Sequence, residues 1–245
     1  MFTTSMKKST TRAAGPATKP ASAGVPGAIR TNTRKAGDAT RERMLDAAEA
    51  LFAKNGYHGT SMRDIADATD SRIALVTYHF GTKDVLFNKV VERRASYMAH
   101  QRILALDAAR RRAGNDPIPL RDLISGYVLP FVERSAHGGQ GWKNYSHLVA
   151  RLSNSPDWAK VISDHYDAVA RQFVAEFRRT LPTVPEEDVY HSFSFMIGSM
   201  VALVSEPGRV ESLSLGKFKS TNLERAFDCM LPFLEGAFMA LCNKR

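Results

Sequence analysis

Apolar residues recur along this chain at the three- and four-residue spacing of helices that bury one face. Met44, Ala48 and Phe52 mark the first such stripe, and Asn55-Gly56 follows it with a pair typical of a helix end. No stretch alternates apolar and polar residues convincingly, as a half-buried strand would. The pattern therefore predicts an all-α protein.

Cap and turn residues divide the chain into further helices. Ser61 and Asp64 have the spacing of a capping box in its acidic form, and Thr82 is a good N-cap for a long helix. Pro130 lies within another apolar stripe and should kink that helix. The predicted helices cover residues 40–55, 60–69, 72–79, 82–113, 120–135, 144–153, 156–181, 186–205 and 222–242.

Positive charge is concentrated at the amino terminus. Residues 1–37 hold seven Lys or Arg and no acid, so a formal net charge of +9 leaves only +2 for the rest. This tail has almost no large apolar residue, and we expect it to be disordered. It is either a solvated extension or a misassigned start site, or else a basic arm that adds phosphate contacts or enters a minor groove.

No motif points to catalysis, to a cofactor or to a membrane. The chain lacks Gly-x-Ser-x-Gly, His-Glu-x-x-His, a P-loop and paired cysteines. Its longest apolar stretch, residues 193–204, is too short to span a bilayer, and Lys7-Lys8 does not precede a signal-like apolar run. We therefore expect a cytoplasmic protein without enzymatic activity, cofactor or metal, with Cys229 and Cys242 as reduced thiols.

Lys83 stands out at the predicted start of the long helix. Thr82 is the N-cap, so Lys83 lies in the first turn, where the helix dipole favours carboxylates over cations. We expect this cation to be compensated from outside the helix, and a DNA phosphate is the natural candidate.

Two segments carry a resemblance to a known family. Residues 56–66 read Gly-Tyr-His-Gly-Thr-Ser-Met-Arg-Asp-Ile-Ala, and residues 78–87 read Tyr-His-Phe-Gly-Thr-Lys-Asp-Val-Leu-Phe. Together they resemble the tetracycline-repressor (TetR) family of transcriptional regulators over about residues 40–90. The Tyr-His-Phe-Gly-(Ser/Thr)-Lys form is similar to a subgroup that includes fatty-acid-responsive repressors, as is the segment at residues 148–156.

The resemblance implies a helix-turn-helix whose third helix lies in the major groove of a palindromic operator. Arg72 would reach a guanine edge, while Tyr78, His79 and Lys83 would hold phosphates. As alternatives, Tyr78 could pack internally, His79 could bond a helix end and Arg63 could be a solvated charge. The residues expected at double-stranded DNA are Thr60, Ser61, Arg63, Arg72, Ile73, Ala74, Thr77, Tyr78, His79 and Lys83.

The turn before the third helix departs from the family pattern. Many members carry Ala-Gly-Val where Thr69-Asp70-Ser71 stands here. Asp70 can adopt a left-handed backbone conformation, but its charge is unfavourable near DNA. Residues 38–90 hold seven basic and eight acidic side chains, so binding would depend on a segregated basic face and on the tail.

The last two predicted helices carry apolar stripes at heptad-like spacing. Such stripes either pack together within one chain or join two chains as a four-helix bundle, and the resemblance favours a homodimer. Gly198 and Ala202 would allow close approach of helices. The expected interface consists of Phe193, Met196, Ile197, Met200, Leu223, Phe227, Met230, Leu234, Phe238 and Leu241.

Large aromatic residues between these regions could line a pocket for a small-molecule effector, with a filled core as the alternative. An apolar acid or acyl-CoA is the guess that the resemblance suggests. The expected ligand-binding residues are Phe131, Trp142, Tyr145, Arg151, Tyr166, Phe173 and Phe195.

These expectations divide the chain into a disordered basic tail (1–37), a helix-turn-helix DNA-binding domain (38–85) and a helical ligand-binding and dimerisation domain (86–245). By resemblance, the effector would tilt the long helix, respace the two reading helices and release the operator, as a repressor would. A ligand-independent regulator and a non-specific DNA-binding protein driven by the tail are the alternatives.

Overall fold

A computed structural model of the protein describes residues 26–206 and 208–242, with side chains from residue 36 onwards. Within those ranges the chain forms α-helices, one 3₁₀ turn (Pro156–Trp158) and no strand. The helices are α1 Pro26–Asn55, α2 Met62–Ala68, α3 Ile73–Phe80, α4 Lys83–Ala113, α5 Leu120–His137, α6 Gln140–Ser153, α7 Ala159–Thr180, α8 Glu186–Val204, α9 Arg209–Leu213 and α10 Leu223–Cys242.

Three helices differ clearly from the sequence-based expectation: α1 and α6 begin earlier than predicted, α6 at Gln140 rather than residue 144, and α9 was not predicted. Helix α1 begins at Pro26 rather than Thr40, so residues 26–37 are helical where we predicted disorder. Ala, Arg and Lys tolerate a helix well, and extension of an existing helix needs no new nucleus. Residues 1–25 of the predicted tail lie outside the described residues. The short helix α9 lies in the connection that we predicted to be irregular.

Residues 39–245 form one compact unit, separate from the residues up to Asp38. The predicted domain boundary after residue 85 falls inside α4, which runs unbroken for 31 residues. Pro130 lies within α5, the helix in which the sequence placed it. None of the helices described is long and apolar enough to cross a bilayer.

This unit contains two apolar cores. We call residues 39–80 the reading region; its core contains Phe52, Ile65 and Val76, together with Leu148 and Leu152 from α6. The second core lies among α4, α5, α6, α7, α8 and α10, and we call this part the sensor region after the role that we expect for it from the sequence. Helix α4 contributes buried residues to both cores, because its first turns pack on α1 to α3 and its later turns on α5 and α7.

Candidate nucleic-acid interface

The start of α2 is fixed by the predicted capping box. The Asp64 backbone amide donates to the Ser61 hydroxyl at 3.2 Å, and the Ser61 amide donates to the Asp64 carboxylate at 2.7 Å. The hydrogen bond from the Ser61 backbone holds the pKa of Asp64 below its usual value. Ser61 and Arg63 remain exposed at the front of this helix, where we expected them.

The turn between α2 and α3 has the backbone that the sequence suggested. Asp70 adopts φ 48°, the left-handed conformation that glycine accepts at lower cost. The amides of Thr69 and Ser71 both donate to the carbonyl of Ala66, at 3.2 and 2.9 Å, and so close the end of α2. The exposed Asp70 carboxylate therefore stands immediately before the third helix.

Helix α3 has one buried and one exposed face. Val76 and Phe80 are buried in the core of the reading region, whereas Arg72, Ala74 and Thr77 are exposed. Large apolar side chains are exposed on the same helix: Ile73, Leu75 and Tyr78. Tyr78 is 82% exposed, which removes the alternative that it packs internally. An exposed aromatic and aliphatic surface of this kind is typical of a binding face.

Two residues of α1 join this exposed face. Thr40 and Arg43 line one shallow depression together with Arg72, Leu75 and Tyr78. The Arg43 guanidinium lies 3.4 Å from the Thr40 hydroxyl. We did not predict these two residues, because nothing in the sequence shows which side of α1 adjoins α3.

Lys83 is compensated from outside its helix, as expected, but by groups of the protein itself rather than by the expected DNA phosphate. Its Nζ donates to the carbonyls of Tyr57 and Thr60, both at 3.1 Å, and lies 4.1 Å from the centre of the Tyr57 ring. Burial and a hydrogen bond to Asp84 raise the pKa of Tyr57 to about 12. Lys83 therefore fastens the first turn of α4 to the loop between α1 and α2.

Thr60 and His79 also differ from the simple expectation. Thr60 is only 1% exposed and its hydroxyl donates to the carbonyl of Gly56 at 3.0 Å, so this side chain shapes the loop and cannot reach DNA. His79 is half-buried and its ring contacts those of Tyr78 and Phe80. Thr60 is therefore no longer a candidate DNA contact, whereas His79 remains a candidate that is only partly accessible.

A buried carboxylate connects the reading region to α4. Glu49 of α1 is buried and accepts hydrogen bonds from Arg93 and from both Nε and Nη2 of Arg94, at 2.9–3.0 Å. Arg93 also pairs with Asp46 at 2.8 Å. Removal of one member of a buried pair typically costs about 3–5 kcal/mol. This cluster therefore holds α1 and α4 together.

The expected dimer residues on α8 and α10 mostly lie inside a single chain. The stripe is covered by the sensor core, and only Ile197 and Leu241 remain half-buried. The buried members are Phe193, Met196, Met200, Leu223, Phe227, Met230, Leu234 and Phe238. The exposed sides of the two helices carry Phe195 and Phe233, each 69% exposed. The buried residues of these stripes therefore pack within the chain, since heptad-like spacing identifies a packed face and not the helix that covers it.

The expected ligand-binding residues do not form an open pocket. Phe131, Trp142, Tyr145 and Phe173 are buried in the sensor core, and Tyr166 is half-buried beside Tyr145. Phe195 is exposed, as stated above.

Arg151 lies at the surface, where its guanidinium donates to the carbonyl of Lys54 at 3.3 Å.

A cleft of about 970 Å³ opens elsewhere, between α4, α5 and α10, with Leu104, Leu129 and Phe227 among its apolar residues and Arg134 at its wall. None of the seven expected residues lines this cleft.

The reading region contains a short α2, a tight turn and a helix α3 with an exposed, partly basic face. This arrangement is a helix-turn-helix DNA-binding unit, and it is joined to the all-helical sensor region. Two family models match the chain: "Bacterial regulatory proteins, tetR family" over residues 44–90 and "Tetracyclin repressor-like, C-terminal domain" over residues 125–237. The chain therefore belongs to the TetR family of DNA-binding regulators, a family of transcription factors rather than enzymes.

Individual relatives are more distant. The chain is 36% identical over 84 residues to the HTH-type transcriptional repressor NicS of Pseudomonas putida, an alignment that covers 31% of this chain and 40% of NicS. The chain thus spans less than half the length of that relative. The structure of Salmonella enterica GusR covers 84% of this chain and 96% of its own at 19% identity and a TM-score of 0.54.

The SmeT–triclosan complex covers 81% of this chain and 91% of its own at 20% identity, with a TM-score of 0.51. At these identities, both structures support the fold alone.

Proposed function

We propose that this protein is a ligand-responsive transcriptional repressor that binds a palindromic operator as a homodimer in the bacterial cytoplasm. The observation that carries the DNA-binding part is the exposed face of α3, where Tyr78 projects beside Arg72 and Arg43. An aromatic residue exposed to this degree beside two arginines suits a surface completed by the major groove and its phosphates.

The residues of α3 divide into base and phosphate contacts. Arg72 reaches a guanine through its two parallel donors, and Ile73 and Ala74 meet thymine methyl groups. Thr77 contacts either a base or a phosphate. Tyr78 holds the sugar-phosphate backbone.

Phosphate contacts also come from residues around α3. Ser61 and Arg63 lie at the front of α2, Arg43 extends from α1 and His79 lies at the end of α3. All of them fix the position of the domain on the duplex without specifying sequence.

Dimerisation uses the exposed sides of α8 and α10. Phe195 and Phe233 provide the aromatic anchors that protein interfaces favour. Gly198 and Gly236 are exposed on the same helices, and an added Cβ at either would meet no atom within 4 Å. A second chain can therefore approach these helices closely.

The effector is a small apolar or acyl-type molecule. The family resemblance to fatty-acid-responsive repressors supports this class, and SmeT, with which the chain shares its fold, has been solved with triclosan. The tight sensor core favours a second candidate, a ligand-independent regulator, because several of the expected pocket residues are packed there. A small molecule that weakens operator binding would support the ligand-responsive candidate over the ligand-independent one.

Communication between the two regions would pass along α4. This helix begins at the Lys83 clamp, holds Glu49 through Arg93 and Arg94, and continues into the sensor core. An effector can release DNA only if it binds one orientation of α4 more tightly than the other.

The test is competitive binding of the full chain to the DNA upstream of its own gene and to unrelated DNA of equal length, at about 150 mM salt to weaken non-specific attraction. A preference of about 10³-fold or more supports a specific regulator. Equal binding to both, abolished by deletion of residues 1–37, would instead indicate non-specific attraction through the tail. If neither DNA is preferred, random-site selection replaces the upstream fragment.

A further inference from the structure

The sensor core contains an arginine without an acidic partner. Arg102 of α4 is only 3% exposed, and among the described residues it forms no ion pair with an Asp or Glu. Arg110, two turns further along the same helix, is by contrast half-exposed and donates to Glu176 at 2.8 Å. A buried cation without a counter-charge is costly, so its retention calls for an explanation.

The contacts of Arg102 leave part of its guanidinium unused. Nε donates to the carbonyl of Tyr127 at 2.9 Å, and Nη2 lies 3.4 Å from the thioether sulfur of Met200, a weak acceptor. The guanidinium carbon lies 3.8 Å from the centre of the Tyr127 ring. Within the described residues, neither Nη1 of Arg102 nor the Tyr127 hydroxyl has a hydrogen-bond partner, and each of these two atoms keeps a small exposure to solvent.

Polar and aromatic groups from several helices surround this arginine. Tyr145 of α6 and Tyr166 of α7 join their hydroxyls in a hydrogen bond near it. Burial raises the pKa of Tyr166 to about 12, while the hydrogen bond from Tyr145 and the charge of Arg102 act in the opposite direction. Phe173 and Phe193 lie edge-on to the Tyr127 ring at 5.1 and 4.9 Å and form apolar walls.

We propose that Arg102 anchors the carboxylate of a small apolar monocarboxylate effector between α4, α5, α7 and α8. This inference rests on the proposed ligand-responsive function. A carboxylate accepts two parallel N–H bonds from a guanidinium, and such charge-assisted bonds are much stronger than the contact to a thioether.

The surroundings of Arg102 suit the rest of such a ligand. The flexible Met200 side chain can repack to make room, and the aromatic walls suit an apolar body. An acyl-CoA would bring several further negative charges to a site with one cation.

The competing explanation is that Arg102 only ties α4 to α5 through the carbonyl of Tyr127. A purely structural tie predicts that a carboxylic acid and its neutral amide, which have nearly the same shape, bind equally or not at all. The carboxylate site predicts a strong preference for the acid. A comparison of the two on the wild-type protein therefore separates the explanations without a mutation.

The experiment is isothermal titration calorimetry of the full chain, without DNA, with benzoate, phenylacetate, octanoate and decanoate and with the four matching primary amides. We expect at least one acid to bind about tenfold or more tightly than its amide, as a charged hydrogen bond implies. Arg102→Met should lower the affinity for that acid about tenfold or more and leave the amide unchanged. Arg110→Met, the matched control on the same helix, should stay within about twofold of wild type.

The proposal is overturned if no acid binds below about 5 mM, if acid and amide bind equally, or if Arg102→Met keeps the preference. If that variant does not fold, the comparison of acid and amide on the wild type decides. Operator binding is measured separately without acid. A protein that binds acid but shows no operator preference would count against the proposed function and leave the Arg102 site intact.

Discussion

The reading region and the α8–α10 pair differ in whether the apolar residues expected to face a partner are exposed. In the reading region, the apolar residues expected to face a partner, Ile73 and Tyr78, are exposed. On α8 and α10, the residues expected to face a partner are mostly buried within the chain, while Phe195 and Phe233 on their outer sides are exposed. A turn motif fixes which side of a helix faces outward, whereas an apolar stripe alone shows only that something covers it.

Loss of the dimer is the largest effect that this comparison predicts. Phe233→Glu places a charge on the outer side of α10, where it costs little in a single chain but opposes contact between two. We expect a folded monomer by sedimentation. Operator affinity should fall roughly 10²-fold or more, because two protomers no longer bind the two half-sites of the operator as one unit.

Phe218→Glu is the matched control, since Phe218 is an exposed phenylalanine outside α8 and α10. It should remain dimeric. A dimeric Phe233→Glu variant would move the interface elsewhere on the chain.

The inner side of α8 should behave in the opposite way. Met196→Ala removes a fully buried side chain from the sensor core and should cost about 2–5 kcal/mol in the free energy of unfolding. The variant should still dimerise under conditions where it is folded. Urea denaturation at fixed protein concentration measures the cost, and a loss of dimer without a loss of stability would restore the originally predicted interface.

On the reading region, Arg72→Ala should cost about 1–3 kcal/mol of operator affinity and relax the preference at one base pair. Arg63→Ala should instead weaken binding to all sequences and reduce the salt slope by about one. Fluorescence anisotropy on single-base operator variants, repeated at several salt concentrations, separates the two roles. Identical behaviour of the two variants would contradict base reading by Arg72.

Lys83 offers a sharper test, because its two explanations predict different observables. Lys83→Met should lower the free energy of unfolding by about 1–3 kcal/mol, since two loop carbonyls lose their donor. Its salt slope for DNA should equal that of wild type, whereas loss of a phosphate contact would reduce the slope by about one. Lys89→Met, which removes an exposed lysine of the same helix, should change stability by less than about 0.5 kcal/mol.

The smallest effect concerns Asp70. Asp70→Gly relieves the cost of a left-handed backbone at residue 70, but it also raises the conformational entropy of the unfolded chain. These two contributions to stability, of about 0.5–1 kcal/mol each, largely cancel. Operator affinity should nevertheless rise a few-fold at low salt, because a carboxylate leaves the DNA-facing side. Asp70→Asn, which keeps the backbone tolerance and removes only the charge, should show the same gain. Unchanged affinity in both variants would place Asp70 away from the DNA.

The parts of the fold that rest on local signals were predictable. The Ser61 cap, the Asp70 turn and the Thr82 cap each act within a few residues, and the structure has all three. Contacts between distant residues were not predictable, because no periodicity shows that Lys83 reaches the carbonyl of Tyr57 or that Arg43 adjoins α3. For the same reason, no spacing in the sequence shows that Arg102 lies buried beside Tyr127 while Arg151 lies at the surface.

The presence of Leu148 and Leu152 of α6 in the core of the reading region has a consequence for modularity. A fragment that ends after α4 would expose the apolar surface that these two leucines cover. The DNA-binding part is therefore not a cassette that can be exchanged between regulators at the end of α4. A chimera that keeps this part folded needs α6, or an equal apolar cover, from the same parent.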